Sequence, residues 1–478
     1  MSLPFIGRTQ ELETLSKLFK KESPSLVVIQ GRRRIGKSRL VQEFGKKYVF
    51  YQFSGLPLTK DMTAQSQRNE FSKQLSLQTG LPELFADDWG KLFFLLSEKI
   101  TKNPTVILFD EISWMGSLDP NFLGKLKYAW DLYFKTHPRL ILILCGSASA
   151  WIEKNIVTST GFMGRLSYKL VLEELPLKDA QKFWGTRQYI SSYEKLKVLS
   201  ITGGVPRYLE EIKPTLSAEE NIKDLCFSKG GFLVDEFEII FSDLFSSKSP
   251  TYKKIVQLVS SGTKSLKEIC DALKITQTGY MSDCVEDLLK CGFVARDYTW
   301  NIPTSTPSRL SHFRLSDNYL RFYLKYIDKN KDKINRGASV FQSLGALPGW
   351  ETIMGLQFET LVLNNRQLLQ QQLHIKAEEI VQDNPFFQRQ NSKQAGCQID
   401  YLIQTKYNTL YLCEIKFSKN PIPLSIIQEV EAKIKALNYP KGFSCRPVLV
   451  HANGVQESVV DSNFFSDIIN FSEFLEEK

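Results

Sequence analysis

Three stretches in the first third of the chain predict an α/β protein that opens on a doubly wound parallel sheet. Gly31-Arg32-Arg33-Arg34-Ile35-Gly36-Lys37-Ser38 follows directly on the apolar run Leu26-Val27-Val28-Ile29. The run from Thr105 ends in Asp110 and Glu111, and a third, Leu140 to Cys145, ends in Gly146-Ser147. Short apolar runs closed by turn or polar residues read as strands covered on both faces, the usual state of a parallel sheet.

The first stretch has the spacing G-x-x-x-x-G-K-[ST] of a phosphate loop. Glycines at 31 and 36 let the backbone turn tightly enough for its N–H groups to cradle phosphate oxygens, and a helix starting near Lys37 adds the positive end of its dipole. Gly31, Arg34, Ile35, Gly36, Lys37, Ser38 and Arg39 are the expected nucleotide contacts. Lys37 reaches for the β- and γ-phosphates and Ser38 for a bound Mg2+. In the second stretch Asp110 is expected to hold Mg2+, while Glu111 orients or activates the attacking water. Ligands collect at the carboxyl ends of parallel strands, so Ser147 is a candidate γ-phosphate sensor, with a plain turn as the other reading. Arg165, in Gly164-Arg165-Leu166, is either a source of positive charge for the transition state, in its own or a neighbouring subunit of a homo-oligomer, or a surface arginine.

Phe5-Ile6-Gly7-Arg8-x-x-Glu11-Leu12, the phosphate loop, the Leu108-Phe109-Asp110-Glu111 strand end, Gly146-Ser147, Gly164-Arg165 with its following leucines, and Gly203-Gly204-Val205-Pro206-Arg207 occur in one order. Together they resemble the archaeal-type ATPases of the STAND/AAA+ group over roughly residues 1–230. The resemblance implies a P-loop NTPase core at 1–170 and a helical lid at 171–230, with ATP and Mg2+ as cofactors. It also implies Gly7 and Arg8 beside the base or ribose, and Pro206 pressing on the ring from the lid.

Residues 249–301 change pattern: three short helical periods, interrupted at Gly262 and before Thr276, lead into Gly292 and an extended run to Trp300. That order predicts a winged helix, placed at 231–305, with Thr276, Gln277, Thr278 and Tyr280 at the exposed start of its third helix. Acidic residues nearly match basic ones there, so the module reads DNA or serves for packing. Residues 302–345, with prolines at 303 and 307 and then aromatic helical spacing, read as a connector, placed at 306–345.

The last segment, 346–478, carries Ile399-Asp400-Tyr401-Leu402-Ile403 and Leu410-Tyr411-Leu412-Cys413-Glu414-Ile415-Lys416. A period of two puts Glu414 and Lys416 on one face, with Ile415 pointing into the core. Two carboxylates meeting across neighbouring strands can hold a hard divalent cation, and a lysine beside them can orient water or stabilise charge at phosphorus. An ordinary charged strand alternates in the same way. The D-x13-E-x-K pattern resembles the PD-(D/E)xK restriction-endonuclease-like α/β fold, although Ile399 stands where that motif has proline. By that resemblance Asp400 and Glu414 are metal ligands, Lys416 assists the nucleophile, and Glu359 completes the site from a helix. Gln428, in a helical stretch, is either a substrate contact or a solvated face. Arg389, Lys393, Lys406, Lys416 and Lys419 either follow a phosphate backbone or are solvated loop charges.

The chain has 478 residues and a formal charge of +9, from 61 Lys and Arg against 52 Asp and Glu, so nucleic acid is a permitted partner. Its eight cysteines show no C-x-x-C spacing and read as reduced thiols. No apolar run approaches the length of a membrane span, so a cytoplasmic protein without a membrane partner is expected. Three functions fit: an ATPase coupled to a metal-dependent nuclease-like domain acting on DNA, an ATP-switched regulator or scaffold that binds DNA or protein and cleaves nothing, or an effector whose target is cellular nucleic acid.

Overall fold

The computed structural model describes residues 4–147, 149–185, 189–245, 249–338, 341–392 and 394–476. Its contacts divide the chain into two compact units, residues 1–175 and 176–478.

The first unit is built on five parallel strands: β1 (Ser25–Gln30), β2 (Val49–Ser54), β3 (Thr105–Asp110), β4 (Leu140–Gly146) and β5 (Leu166–Val171), in the spatial order β2-β3-β4-β1-β5. The three central strands, β1, β3 and β4, are the three apolar runs, and every residue in them is buried. Their alternation feeds two separate cores. Leu26, Val28, Ile107, Phe109, Leu142 and Leu144 face an aromatic cluster that includes Phe53, Phe71, Trp89, Phe93 and Phe122. Val27, Ile29, Val106, Leu108, Ile141 and Ile143 face the helices Thr9–Leu18 and Lys37–Gly45 through Leu15, Leu40, Val41 and Phe44. Helices on both faces are what permit unbroken apolar strands.

In the second unit the helices Ser249–Ser260, Leu266–Leu273 and Gly279–Lys290 precede an antiparallel hairpin, β6 (Val294–Asn301) and β7 (Thr306–Leu315). Ser265 and Glu268 form a capping box at the second helix. The Tyr252 hydroxyl ties the first helix to the third through Asp287 at 2.7 Å. Thr276, Gln277, Thr278 and Tyr280 are all exposed.

A mixed sheet follows, β8 (Ile380–Gln388), β9 (Cys397–Thr405), β10 (Thr409–Lys416), β11 (Ser444–His451) and β12 (Asp467–Asn470), in the order β12-β11-β10-β9-β8. β8, β9 and β10 pair antiparallel, whereas β10, β11 and β12 run parallel. The helix Ile426–Ala436 lies in the crossover from β10 to β11.

The segment expected to be a connector is neither loose nor a linker. Residues 306–315 are the second strand of the hairpin, and Tyr319, Phe322, Tyr323 and Tyr326 are buried. Pro303 and Pro307 look like linker residues, but Pro303 falls in the turn and Pro307 is the second residue of an edge strand, where a missing N–H costs little. The hairpin also shares a core with the mixed sheet, because Trp300 packs on Phe386 and its indole N–H donates to Gln404 Oε1.

Phe93 stacks on Phe109 and meets Phe71 and Phe122 edge-on. Phe93→Ala is expected to cost about 3–5 kcal/mol, as for other fully buried aromatics. Urea denaturation should show it as an earlier transition.

Candidate functional site

β1, β3 and β4 are parallel, so the phosphate loop, Asp110–Glu111 and Ser147 all emerge at one edge of the sheet. β4 lies between the other two, which delivers Ser147 between the loop and the carboxylates.

The loop depends on its glycines. Gly31 has φ +154°, and a Cβ there would stand 2.4 Å from the Leu172 carbonyl oxygen. Gly36, at φ 87°, precedes the helix Lys37–Gly45 and caps it with no side chain. The buried Lys37 ammonium donates to the Gly31 and Arg32 carbonyls at 2.9 and 3.0 Å. Asp110 is buried and its Oδ1 accepts from the Glu111 N–H at 3.1 Å. Glu111 is left-handed, with φ 49°, a costly conformation for a non-glycine residue. Its carboxylate accepts from the Ser147 hydroxyl at 3.2 and 3.1 Å and from the Ser147 N–H at 3.2 Å. Burial pushes the Cys145 thiol well up, and Asp110, Lys37 and Glu111 are the charges that act on it. Those three charges therefore lie within electrostatic reach of Cys145, the last residue but one of β4.

Other expected residues have different neighbours. Gly7 and Arg8 are consecutive left-handed residues, and the buried Arg8 guanidinium donates to the carbonyls of Ile35 and Glu173 and pairs with Glu11 at 3.1 Å. It ties the phosphate loop to the chain that follows β5. Arg39 donates to the Pro4 carbonyl at 3.4 Å. Arg165 precedes β5, and its neighbour Leu166 is level with Leu26 at the start of β1. The loop follows the other end of β1, about 17 Å away at 3.3 Å per residue. Arg165 makes a two-pronged pair with Asp131, both contacts at 2.9 Å, and holds that carboxyl down to about 2. It does not approach the loop of its own chain. Pro206 is the first residue of the helix Pro206–Leu209 in the second unit.

A second carboxylate cluster lies on the mixed sheet. Asp400 on β9 and Glu414 on β10 converge, as the strand pattern predicts. Asp400 Oδ2 accepts from the Ile415 N–H at 2.9 Å. Glu414, 1% exposed, pairs through Oε1 with Lys416 at 3.1 Å, and Lys416 also reaches Glu429 at 3.0 Å. The residue missed in the sequence is Lys433, on the helix Ile426–Ala436. Its ammonium lies 2.6 Å from Glu414 Oε2 and 3.8 Å from Asp400 Oδ1.

Ile426, Val430 and Leu437 are buried, and position 433 falls on the same helical face. A lysine at an apolar-face position was the available signal; Gln428 is instead exposed. Among the described residues no group of three His, Cys, Asp or Glu side chains is arranged to hold a metal ion. The expected divalent pair, Asp400 and Glu414, is bridged by an ammonium.

Glu359, on the helix Trp350–Asn364, belongs to the same electrostatic cluster: burial raises its carboxyl, against the pull of Arg314 and Arg321. Arg321 anchors that helix by donating to the Leu315 and Leu356 carbonyls, Gln357 and Thr360. Burial, with Glu414 and Glu359 nearby, pushes the Asp400 carboxyl up to about 7, against the lowering effect of Lys433. Lys393 lies outside the described residues.

The edge of the first sheet thus defines a P-loop type of α/β nucleotide site. Residues 5–212 match a family described as an ATPase domain predominantly from Archaea, and the chain carries that archaeal-type ATPase domain. An uncharacterized protein of Methanocaldococcus jannaschii is 25% identical over 360 residues, 74% of this chain and 75% of the relative. An uncharacterized ATP-binding protein of the same organism is 38% identical over 40 residues, 8% of this chain and 68% of the relative. Among solved structures, a Walker-type ATPase of Pyrococcus abyssi aligns with TM-score 0.49 and 15% identity, over 67% of this chain and 96% of that one. The ORC2 protein of Aeropyrum pernix, in ADPNP–ADP complexes, aligns with TM-score 0.43 and 13% identity, over 69% and 94%. All eight cysteines are free thiols, and among the described residues no helix is long and apolar enough to cross a membrane.

An aspartic acid with a raised folded pKa binds its proton more tightly folded than unfolded, so its contribution to stability falls as pH rises from about 4 to about 7. Asp400→Asn should flatten the pH dependence of stability in that window, measured by denaturation at pH 4.5, 6 and 7.5. A change confined to pH above 8 would contradict the assignment.

Proposed function

We propose that this protein hydrolyses ATP and uses its nucleotide state to control a nucleic-acid-binding second unit. The observation that carries the first part is the emergence of the phosphate loop with Lys37, of Asp110 and of the Glu111–Ser147 pair from parallel strands at one sheet edge. The residues fit a triphosphate. Gly31 and Gly36 take the positive-φ backbone that shapes the loop, and the helix behind Gly36 has no side-chain cap at its positive end. Lys37 turns from the loop carbonyls to the phosphates. Ser38 and Asp110 are the residues that would hold Mg2+, which supplies charge neutralisation on the phosphates when bound. Glu111 accepts the proton of the attacking water or orients it, after its carboxylate leaves Ser147, and the freed Ser147 hydroxyl can then donate to the γ-phosphate.

In the second unit, three helices followed by a hairpin support a winged-helix reading. A groove of about 470 Å³ beside the third helix, lined by Lys267, Gln277, Arg296, Arg309 and Arg389, supports a phosphate-backbone partner such as DNA. The strand order, with Asp400, Glu414 and Lys416 on neighbouring strands, supports a PD-(D/E)xK-like fold for the mixed sheet. A specific observation, the Lys433 bridge, favours binding without cleavage over nuclease action.

Purified protein should hydrolyse ATP with Mg2+, and Lys37→Ala should lose both binding and turnover. Glu111→Gln should keep ATP bound while turnover falls at least 100-fold, the scale of a lost general base. Parental turnover in both variants would refute the assigned site. For the second unit, Arg296→Ala combined with Arg309→Ala should weaken DNA binding and reduce its salt dependence.

A further inference from the structure

The helix Ile426–Ala436 places one ammonium where a nuclease-like fold places a metal. Two carboxylate oxygens face Lys433: Glu414 Oε2 at 2.6 Å and Asp400 Oδ1 at 3.8 Å. The two remaining oxygens have donors of their own, Lys416 Nζ on Glu414 Oε1 at 3.1 Å and the Ile415 N–H on Asp400 Oδ2 at 2.9 Å. A divalent ion bound to carboxylates sits about 2.0–2.6 Å from their oxygens, and the Lys433 ammonium, 2.6 Å from Glu414 Oε2, stands in that space. Each of these four already faces a hydrogen-bond donor or an ammonium. Glu414 is 1% exposed, so its charge cannot be left to water and requires a counter-ion inside the protein.

Two positive groups, Lys416 and Lys433, answer the charge of Asp400 and Glu414, and Glu359 acts on Asp400 as a further carboxyl. A divalent ion entering between the carboxylates would meet both ammonium groups at close range. The apolar neighbours Ile426, Val430 and Leu437 fix the helix that carries Lys433, so the side chain is presented by a packed element and not by a loop.

We propose that Lys433 is the resident cation of this pocket, and that its ammonium, by holding Glu414 and Asp400 together, excludes a divalent metal ion from the resting protein. The pocket is a carboxylate site with a built-in counter-ion, and metal and Lys433 compete for the same oxygens. The choice of a divalent ion as competitor rests on the nuclease-like reading of the mixed sheet. The occupancy of the pocket does not.

The test is direct Mn2+ binding to the full-length, nucleotide-free protein, followed by the electron-spin-resonance signal of free Mn2+. Parent, Lys433→Met, Lys433→Arg, Asp400→Asn and the Lys433→Met/Asp400→Asn double variant are compared. The expected result is that parent, Lys433→Arg and Asp400→Asn bind equally weakly. Lys433→Met should gain one site at least tenfold tighter, and the double variant should lose it. Parental binding that disappears in Asp400→Asn would overturn the proposal, as would a Lys433→Met protein that melts cooperatively and gains no site. Should Lys433→Met fail to fold, the comparison of parent with Asp400→Asn decides alone: equal weak binding supports the proposal and Asp400-dependent binding overturns it. Cleavage of DNA is assayed separately. A Lys433→Met protein that binds Mn2+ but cuts nothing would remove the nuclease-like reading and leave the inference about Lys433 standing.

Discussion

Parallel registration of β1, β4 and β3 is the constraint on which the nucleotide site depends. Each strand pairs in register with its neighbour, Val28 with Leu144 and Leu108 with Ile143, so the three chains leave the sheet at the same edge. Neighbouring strands lie about 4.8 Å apart, which leaves the turn after β4 within side-chain reach of both flanking turns. Ser147 and Glu111 meet for that reason, although 36 residues separate them in the chain. The left-handed backbone at Glu111 contributes too, because it turns the chain sharply between β3 and the helix Ile112–Gly116.

The two units handle buried charge in different ways. At the edge of the first sheet, the Glu111 carboxylate is met by a hydroxyl and a backbone N–H, and Lys37 by backbone carbonyls. These partners are neutral, so a charged ligand can replace them without stranding an opposite charge. On the mixed sheet, carboxylates face ammonium groups, and removing either side leaves its partner unpaired in a low-dielectric setting. The same physics operates at Arg314 and Asp297, paired at 3.1 Å beside Glu359 and Arg321. A site of the first kind suits exchange of a ligand, whereas one of the second kind resists it.

Legibility from the sequence followed distance along the chain. The run 26–29 anticipated β1 to within a residue at each end, and 140–145 anticipated β4 equally well, because a strand covered on both faces is apolar throughout. The glycines at 31 and 36 were readable since the backbone conformation they permit is a local property. β7 was not readable: its prolines and polar residues suit a linker as well as an edge strand, and only pairing with β6 distinguishes them. Arg165 was not placed by its motif: its partner, Asp131, lies on a helix far from it in sequence.

By itself the sequence determined where the covered strands of the first sheet form and where the phosphate loop lies, since these follow from periodicity and glycine placement among near neighbours. Only the tertiary structure decided which charges meet. Strand order set Ser147 between the loop and Glu111, and a crossover helix brought Lys433 onto carboxylates 33 and 19 residues earlier. The reason is physical: the partner of a buried charge is chosen by packing across the fold, and a lysine looks the same in a sequence whether it faces water or a carboxylate.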